Sequence, residues 1–328
     1  MEYKIMELHQ NKDLFRNAVL AASQRFRIPE IYIEKDYWVT LVLNKIFHSD
    51  MADQIVFKGG TCLSKCHQMI QRFSEDIDLV IFRNEDENDN QMKKKIRRIS
   101  KLVEEILPEI PVEGLTNKKG NIRKTVHQYD KCFDGNFGQA REQLILETTW
   151  LGNYEPFTIE TVGSYILDLM HQTGQETLIQ KYGLQSFKVQ SLSIERTFCE
   201  KIMSLVRFSR MDEPYPALSD KIRHIYDLDQ MLKNESVISF FKSDNFSKML
   251  QKVGEDDFIG YKNNNAWLKD HPCSAIIFKN PGMTWKRIQN TYRTIFKDLV
   301  IGDLPNENDL IATLQKIENR IKVFDWKI

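Results

Sequence analysis

The order of apolar and polar positions divides the chain into three stretches. Residues 12 to 48 follow a helical spacing, in which Val39, Leu41, Val42, Leu43, Ile46 and Phe47 supply an apolar face behind the segment IEKDYW. A short apolar run, Ile55-Val56-Phe57, ends at Lys58-Gly59-Gly60-Thr61 and predicts a strand running into a glycine turn. Residues 62 to 71 hold no helix breaker and predict a helix with Thr61 as its N-cap. From Ser74 to Phe82 the pattern alternates, so Ile77, Leu79 and Ile81 share one strand face and Asp76, Asp78 and Val80 the other. The polar loop NEDENDN then separates this strand from a charged helix over residues 91 to 107. Strands are expected near 123 to 133 and 141 to 150, joined by the turn-rich DGNFGQA, and again at 157 to 162. Beyond about residue 165 the spacing is helical, as in Phe198, Ile202, Leu205 and Val206. Another helix is expected over 219 to 233, and Trp267, Trp285 and Trp326 are aromatic anchors. The expected class is α+β: an N-terminal helical extension over 1–50, a mixed-sheet core with flanking helices over 51–165, and a mostly helical C-terminal domain over 166–328.

Composition changes this picture little. Hydrophobic residues are 41% and charged residues 28% of the 328, an ordinary balance for a globular protein with room for two domains or one large one. No stretch approaches the roughly 20 apolar residues of a membrane span, and MEYKIMELHQNKDLF carries no apolar signal core. The expected location is therefore the cytoplasm, with no membrane partner. Basic and acidic residues balance at 46 each, so any nucleic-acid contact must come from local clusters. Two such clusters are KKKIRR at 93 to 98 and NKKGNIRK at 117 to 124; RNA contact and a plain solvated face are both open for them. The five cysteines form no CxxC pair, which fits a reducing compartment.

The chemistry concentrates in FKGGTCLSKCHQMIQRFSEDIDLVIF, residues 57 to 82. Gly59 and Gly60 let the backbone approach a bulky ligand, and the helix start after them offers N–H groups to a phosphate. Asp76 and Asp78 share a strand face roughly 7 Å apart, and carboxylates so placed repel unless a cation sits between them. Hard oxygen ligands suit Mg²⁺, or Mn²⁺ in its place, bound together with substrate phosphates. Cys62, Cys66 and His67 have helix-face spacing for a metal, but no fourth ligand is apparent and buried thiols are the plainer reading.

The segment resembles the AbiEii/AbiGii toxin family of nucleotidyltransferases, part of the polymerase-beta-like superfamily and of type IV toxin–antitoxin systems. The carrying motifs are Gly59-Gly60-Thr61-Cys62-Leu63-Ser64-Lys65 and Arg72-Phe73-Ser74-Glu75-Asp76-Ile77-Asp78-Leu79. Two further blocks are similar: IEKDYWVTLVL at 33 to 43, and IERTFCEKIMSL at 194 to 205 with KIRHIYDL at 221 to 228. The likeness spans about residues 30 to 235, and the rest matches nothing that can be named from the residues. The spacing from Gly60 to Asp76 is longer than in the general polymerase-beta-like pattern. The resemblance implies a nucleotidyltransferase-type sheet core, an NTP substrate, two metal ions and attack by an acceptor hydroxyl on the α-phosphate. The resemblance further implies an acceptor that is an RNA such as tRNA, or a protein, the sequence leaving both open, and a cognate antitoxin.

A third carboxylate usually joins the pair in this family, and Glu147, in the apolar run LILETTW, is the candidate; an outward-facing acid on a half-exposed strand is the alternative. The resemblance casts Lys201 as the lysine gripping the NTP phosphates, against an ordinary snorkelling lysine. Asp227 or His224 then orients Lys201 or the substrate, with Arg223 near them; an Arg223–Asp227 pair on a helix surface is the alternative. Lys58, Gly59, Gly60, Thr61, Arg72 and Ser74 complete the nucleotide-binding set, while Lys65 reads as surface charge. Two other functions compete. Asp76-Ile77-Asp78-Leu79-Val80 fits the DxDx[TV] nucleophile motif of haloacid-dehalogenase-type phosphatases, but the polar residues before Asp76 and the unexplained GGT count against it. A DxD sugar-nucleotide glycosyltransferase is weaker still, and a non-catalytic interaction protein would not need an intact Asp pair, GGT and Lys201.

Overall fold

A computed structural model describes residues 6–151, 154–261 and 264–328. The first five residues of the N-terminal extension therefore lie outside the described residues. By contacts the chain forms two units. One takes the chain up to Cys66 with Phe73–Trp150 and Phe157–Ser191; the other takes His67–Arg72, Leu151–Pro156 and Leu192–Ile328.

In the first unit, helix α1 (Lys12–Phe26) starts where Asn11 accepts a hydrogen bond from the Leu14 N–H. Pro29 sets the start of α2 (Glu30–Phe47), so the single helical stretch expected over 12 to 48 is a helix pair. The strand β1 (Ile55–Lys58) leads directly into the short helix α3 (Gly59–Lys65), and β2 (Ile77–Ile81) follows. Helix α4 (Asp89–Glu104) opens on a capping box between Asn88 and Gln91 and buries Met92, Ile96, Ile99 and Val103 at spacings of four, three and four. Strands β3 (Glu109–Ile110), β4 (Ile122–His127), β5 (Leu144–Thr149) and β6 (Phe157–Val162) come next. Helices α5 (Tyr165–Gln172) and α6 (Glu176–Lys181) precede β7 (Phe187–Leu192). The strands form one mixed sheet in the order β3-β4-β5-β2-β1-β7-β6.

Two expectations need correction. The helix expected over 62 to 71 begins at Gly59 and ends at Lys65, so Thr61 lies inside it and is not its N-cap. The cause is Gly59, whose φ of +82° makes the turn in one residue and starts the helix at once. The stretch beyond 165, where the spacing reads as helical and the domain as mostly helical, contains β7, where Phe187 and Val189 alternate inward and Phe57 pairs in parallel with Ser191.

The second unit holds α7 (Ile194–Phe208), α8 (Pro214–Asp220), α9 (Ile222–Met231), α10 (Glu235–Lys242), α11 (Asp244–Gly260), α12 (Ile276–Lys279), α13 (Pro281–Thr291) and α14 (Glu307–Ile321). Its core takes in Phe198, Ile202, Leu205, Val206, Tyr226, Phe246, Trp267 and Trp285. Trp326 is anchored by its indole N–H, which donates to the Leu268 carbonyl at 2.6 Å. No helix among the described residues is long and apolar enough to cross a membrane.

Candidate active site

Strand register builds the acidic centre of the first unit. Lys58 on β1 is the partner of Asp78 on β2, Asp78 is the partner of Glu147 on the parallel strand β5, and Glu147 is the partner of Lys124 on β4. Register partners share a sheet face, so four neighbouring strands carry one row of charge in the order cation, anion, anion, cation. Lys124 Nζ lies 3.3 Å from Glu147 Oε2. Asp78 is half-buried, and its carboxyl is pushed up to about 7 by burial first, then by Glu147 and Asp76; Lys58 and Lys124 oppose the rise. Asp76 stands one residue before β2 begins.

The glycine turn touches this row. A β-carbon added at Gly59 would lie 2.2 Å from Asp78 Oδ2, so only glycine leaves room for that carboxylate. The Thr61 hydroxyl, which the helix start leaves uncommitted to capping, donates to Ser74 Oγ at 3.1 Å and ties the GGT motif to the segment before Asp76. Lys58, Gly59, Thr61, Ser74, Asp78 and Glu147 are thus joined through one region of the first unit.

Glu34, Lys35 and Asp36, consecutive on α2, are buried. Charges are buried at such cost only when each is paired. Glu34 accepts from the N–H groups of Cys132 (2.7 Å) and Phe133 (3.1 Å), and Lys35 donates to the Arg141 carbonyl. Asp36 forms an ion pair with Lys65 at the end of α3 and accepts from the Tyr165 N–H at 2.9 Å. Lys65 is therefore a buried anchor of α3, not surface charge. Glu75 is buried too and accepts from the Arg141 N–H at 3.2 Å. The signal available in the sequence was the run of three charges, EKD, between apolar neighbours on a helix. Cys62 is buried, its Sγ 3.0 Å from Ser191 Oγ.

In the second unit the centre is Asp227, fully buried on α9. Arg72 grips it with two parallel hydrogen bonds, Nε to Oδ1 at 2.7 Å and Nη2 to Oδ2 at 2.8 Å. Lys201 on α7 donates to Oδ2 at 2.7 Å and lies 3.5 Å from His224 Nδ1. Burial alone would raise the Asp227 carboxyl, but Arg72 and Lys201 outweigh it and hold the group well below the usual carboxylate range. Burial, reinforced by Lys201, keeps the His224 imidazole well below its ordinary value. The alternative of an ion pair on a helix surface does not describe Asp227, which is enclosed and neutralised by residues outside its own helix.

Among the described residues no three His, Cys, Asp or Glu side chains converge as a finished metal cage. The donor set still has the chemistry for a hard divalent cation. Asp78 and Glu147 are adjacent carboxylates; burial first and then Glu147 raise Asp78, and a cation relieves the repulsion between them.

Comparison with known protein families finds a match over residues 41–320 to the nucleotidyl transferase AbiEii toxin family, of the type IV toxin–antitoxin system. The chain belongs to the AbiEii toxin family. The match begins later than the likeness read from the motifs and extends well past residue 235, taking in the C-terminal helices. AbiEii membership makes the chain a nucleotidyltransferase and sets aside the phosphatase and non-catalytic alternatives. Among solved structures, MenT4, a nucleotidyltransferase toxin from Mycobacterium tuberculosis H37Rv, aligns with 16% identity and a TM-score of 0.44, covering 95% of this chain and 98% of that one. No curated protein matches.

Proposed function

We propose that this AbiEii-family chain transfers NMP from an NTP to an acceptor hydroxyl, on an RNA such as tRNA or on a protein, as the toxin of a toxin–antitoxin pair. The observation that carries the reading is the charged row Lys58, Asp78, Glu147, Lys124 lying against Gly59 of the GGT motif. Asp78 and Glu147, with Asp76, would hold Mg²⁺ or Mn²⁺. A cation held there supplies charge neutralisation on the triphosphate and on the attacking oxygen. Lys58, Gly59, Gly60, Thr61 and Ser74 are the nucleotide contacts proposed in the first unit. For the second unit, Lys201 and Arg72 are proposed as phosphate-binding cations that Asp227 positions, with His224 and Arg223 beside them. The proposed location is the cytoplasm, and the proposed protein partner is a cognate antitoxin.

The test offers each of four labelled NTPs, with Mg²⁺ or Mn²⁺, to total RNA and to lysate protein. Label entering one acceptor with the native chain but not with Asp76→Ala or Asp78→Asn supports the reading. No label in any acceptor, together with no NTP binding by calorimetry, overturns it.

A further inference from the structure

The two basic stretches of the sequence meet in the structure. Within the first unit, Lys93 and Arg97 of α4 line a cleft of about 360 Å³ together with Lys118, Gly120 and Arg123. A second cleft of about 310 Å³ shares Arg97, Lys118 and Arg123 and continues along the helix to Lys101 and Glu104, with Glu109 at its wall. The two form one groove between α4 and the 117–124 segment. Its cations are Lys93, Arg97, Lys101, Lys118 and Arg123; its anions are Glu104 and Glu109.

The charge in this groove is only partly answered from within. Glu109 pairs with Lys118 and lies 3.6 Å from Arg123, whose Nε also donates to Ser100 Oγ at 2.7 Å. Among the described residues Lys93, Arg97 and Lys101 form no ion pair, although their helix neighbours Lys95 and Arg98 are paired with Glu87 and Asp50. Lys93, Arg97 and Lys101 follow at i, i+4 and i+8, so they make a single stripe with steps of about 6 Å. Burial lowers the Arg123 guanidinium, Glu109 opposes that shift and Arg97 adds to it, so the cations repel one another where they meet.

The groove is separate from the carboxylate row. Arg123 and Lys124 are consecutive on β4 and point to opposite faces, and it is Lys124 that pairs with Glu147. It also lacks what a protein partner would need. Its apolar lining is Ile96, buried in the core, and the exposed ring of Pro111, and none of the large exposed apolar side chains lies in it. Protein interfaces rest on apolar and aromatic anchors, whereas a polyanion strand is held by rows of cations alone. Lys93, Arg97 and Lys101 lie in one line along α4, a form that tracks one phosphodiester strand.

We propose that the groove between α4 and the 117–124 segment binds the phosphodiester backbone of single-stranded RNA, with Lys93, Arg97 and Lys101 tracking successive phosphates. Its meaning as the track that leads an acceptor strand to the enzyme rests on the nucleotidyl-transfer reading; the binding itself does not. The contacts are to phosphate, so little dependence on base sequence is expected.

The test measures binding of a fluorescein-labelled oligouridylate to the full-length chain by anisotropy, over a range of salt, with neither NTP nor divalent cation present. Failure of the transfer chemistry therefore leaves the result readable. Arg97→Glu is compared with Lys94→Glu, an identical charge change on an exposed residue of the same helix that forms no ion pair among the described residues and does not line the groove. The expected result is a loss of at least about tenfold for Arg97→Glu and less than about twofold for Lys94→Glu. The slope of log affinity against log salt should also shrink by about 0.7 for Arg97→Glu. Equal losses in the two variants, or no loss in Arg97→Glu, overturn the proposal. Binding of an acidic peptide in place of the RNA, with the same dependence on Arg97, overturns the assignment to RNA.

Discussion

Asp78 on β2 and Glu147 on β5 are register partners on adjacent parallel strands, with Lys58 on one side of the pair and Lys124 on the other. Two carboxylates held side by side by backbone register cannot separate without breaking the sheet, so their repulsion is built into the fold. Asp78→Asn removes one charge of the pair, and with it their mutual repulsion, and keeps the shape. It should lower nucleotidyl transfer at least about a hundredfold, since changing even outer-shell partners of metal ligands costs 10–100-fold. Without divalent cation it should lose no thermal stability. Added Mg²⁺ should raise the melting temperature of the native chain and not that of Asp78→Asn. A melting temperature that responds to Mg²⁺ equally in both would remove Asp78 from the cation site.

Gly59 is required twice, once by its φ of +82° and once by the Asp78 carboxylate that a β-carbon would strike at 2.2 Å. Gly59→Ala should therefore cost about 1–2 kcal/mol in denaturant unfolding from the left-handed backbone alone. It should also reduce transfer by more than about tenfold, because Asp78 must turn away. Gly174, also at positive φ but with nothing within 4 Å of an added β-carbon, is the control. Gly174→Ala carries the backbone cost and should leave transfer unchanged.

The elements that could be read most plainly in advance are those whose burial is one-sided. Met92, Ile96, Ile99 and Val103 recur at helical spacing on α4, so period and exposure agree there, whereas β2 is buried on both faces but for Asp78, with Val80 as enclosed as Ile77, Leu79 and Ile81. Helix α2 is also buried nearly all round, and Glu34, Lys35 and Asp36 look like a polar face in sequence while each is satisfied by a distant partner. No local pattern distinguishes such charges from solvated ones. The same limit hid Lys65, and it hid the bidentate grip of Arg72 on Asp227, which are 155 residues apart. Of the charged row, Lys58, Asp78 and Glu147 are named from the sequence and its family resemblance, whereas Lys124 enters only through strand pairing.

Asp227 neutralises two buried cations at once. Asp227→Ala leaves Arg72 and Lys201 facing each other without an anion, and breaking a buried pair in this way costs about 3–5 kcal/mol. Lys201→Met keeps the Arg72–Asp227 pair and fills the lysine's apolar volume, so it should cost clearly less. If Lys201 meets the nucleotide, Lys201→Met should raise KM for NTP well beyond any loss of stability. An unchanged KM would leave Lys201 with a structural role alone.

His224 links the same cluster to pH. Its imidazole is held neutral in the folded chain by burial, with Lys201 and Lys221 adding to the effect, Asp227 opposing it and Arg72 acting with the lysines. The folded pKa lies below the unfolded value, so the unfolded chain binds the extra proton as pH falls below about 6.5. The contribution of His224 to stability is therefore complete above that pH and is lost progressively beneath it, with a slope of up to about 1.4 kcal/mol per pH unit. His9 and His127 are lowered by burial as well and act in the same window, while the raised Asp78 carboxyl takes up a proton in the fold there and acts in the opposite sense, so the native chain should lose stability between pH 7 and 5 with less than the three histidines' full slope. Asp227 is depressed and acts only below the ordinary carboxylate range, outside this window. His224→Asn should flatten the profile of unfolding free energy by up to one proton's worth while leaving the acid limb below pH 4 in place. A profile from pH 7 to 5 identical to that of the native chain would show that His224 already carries its proton in the fold.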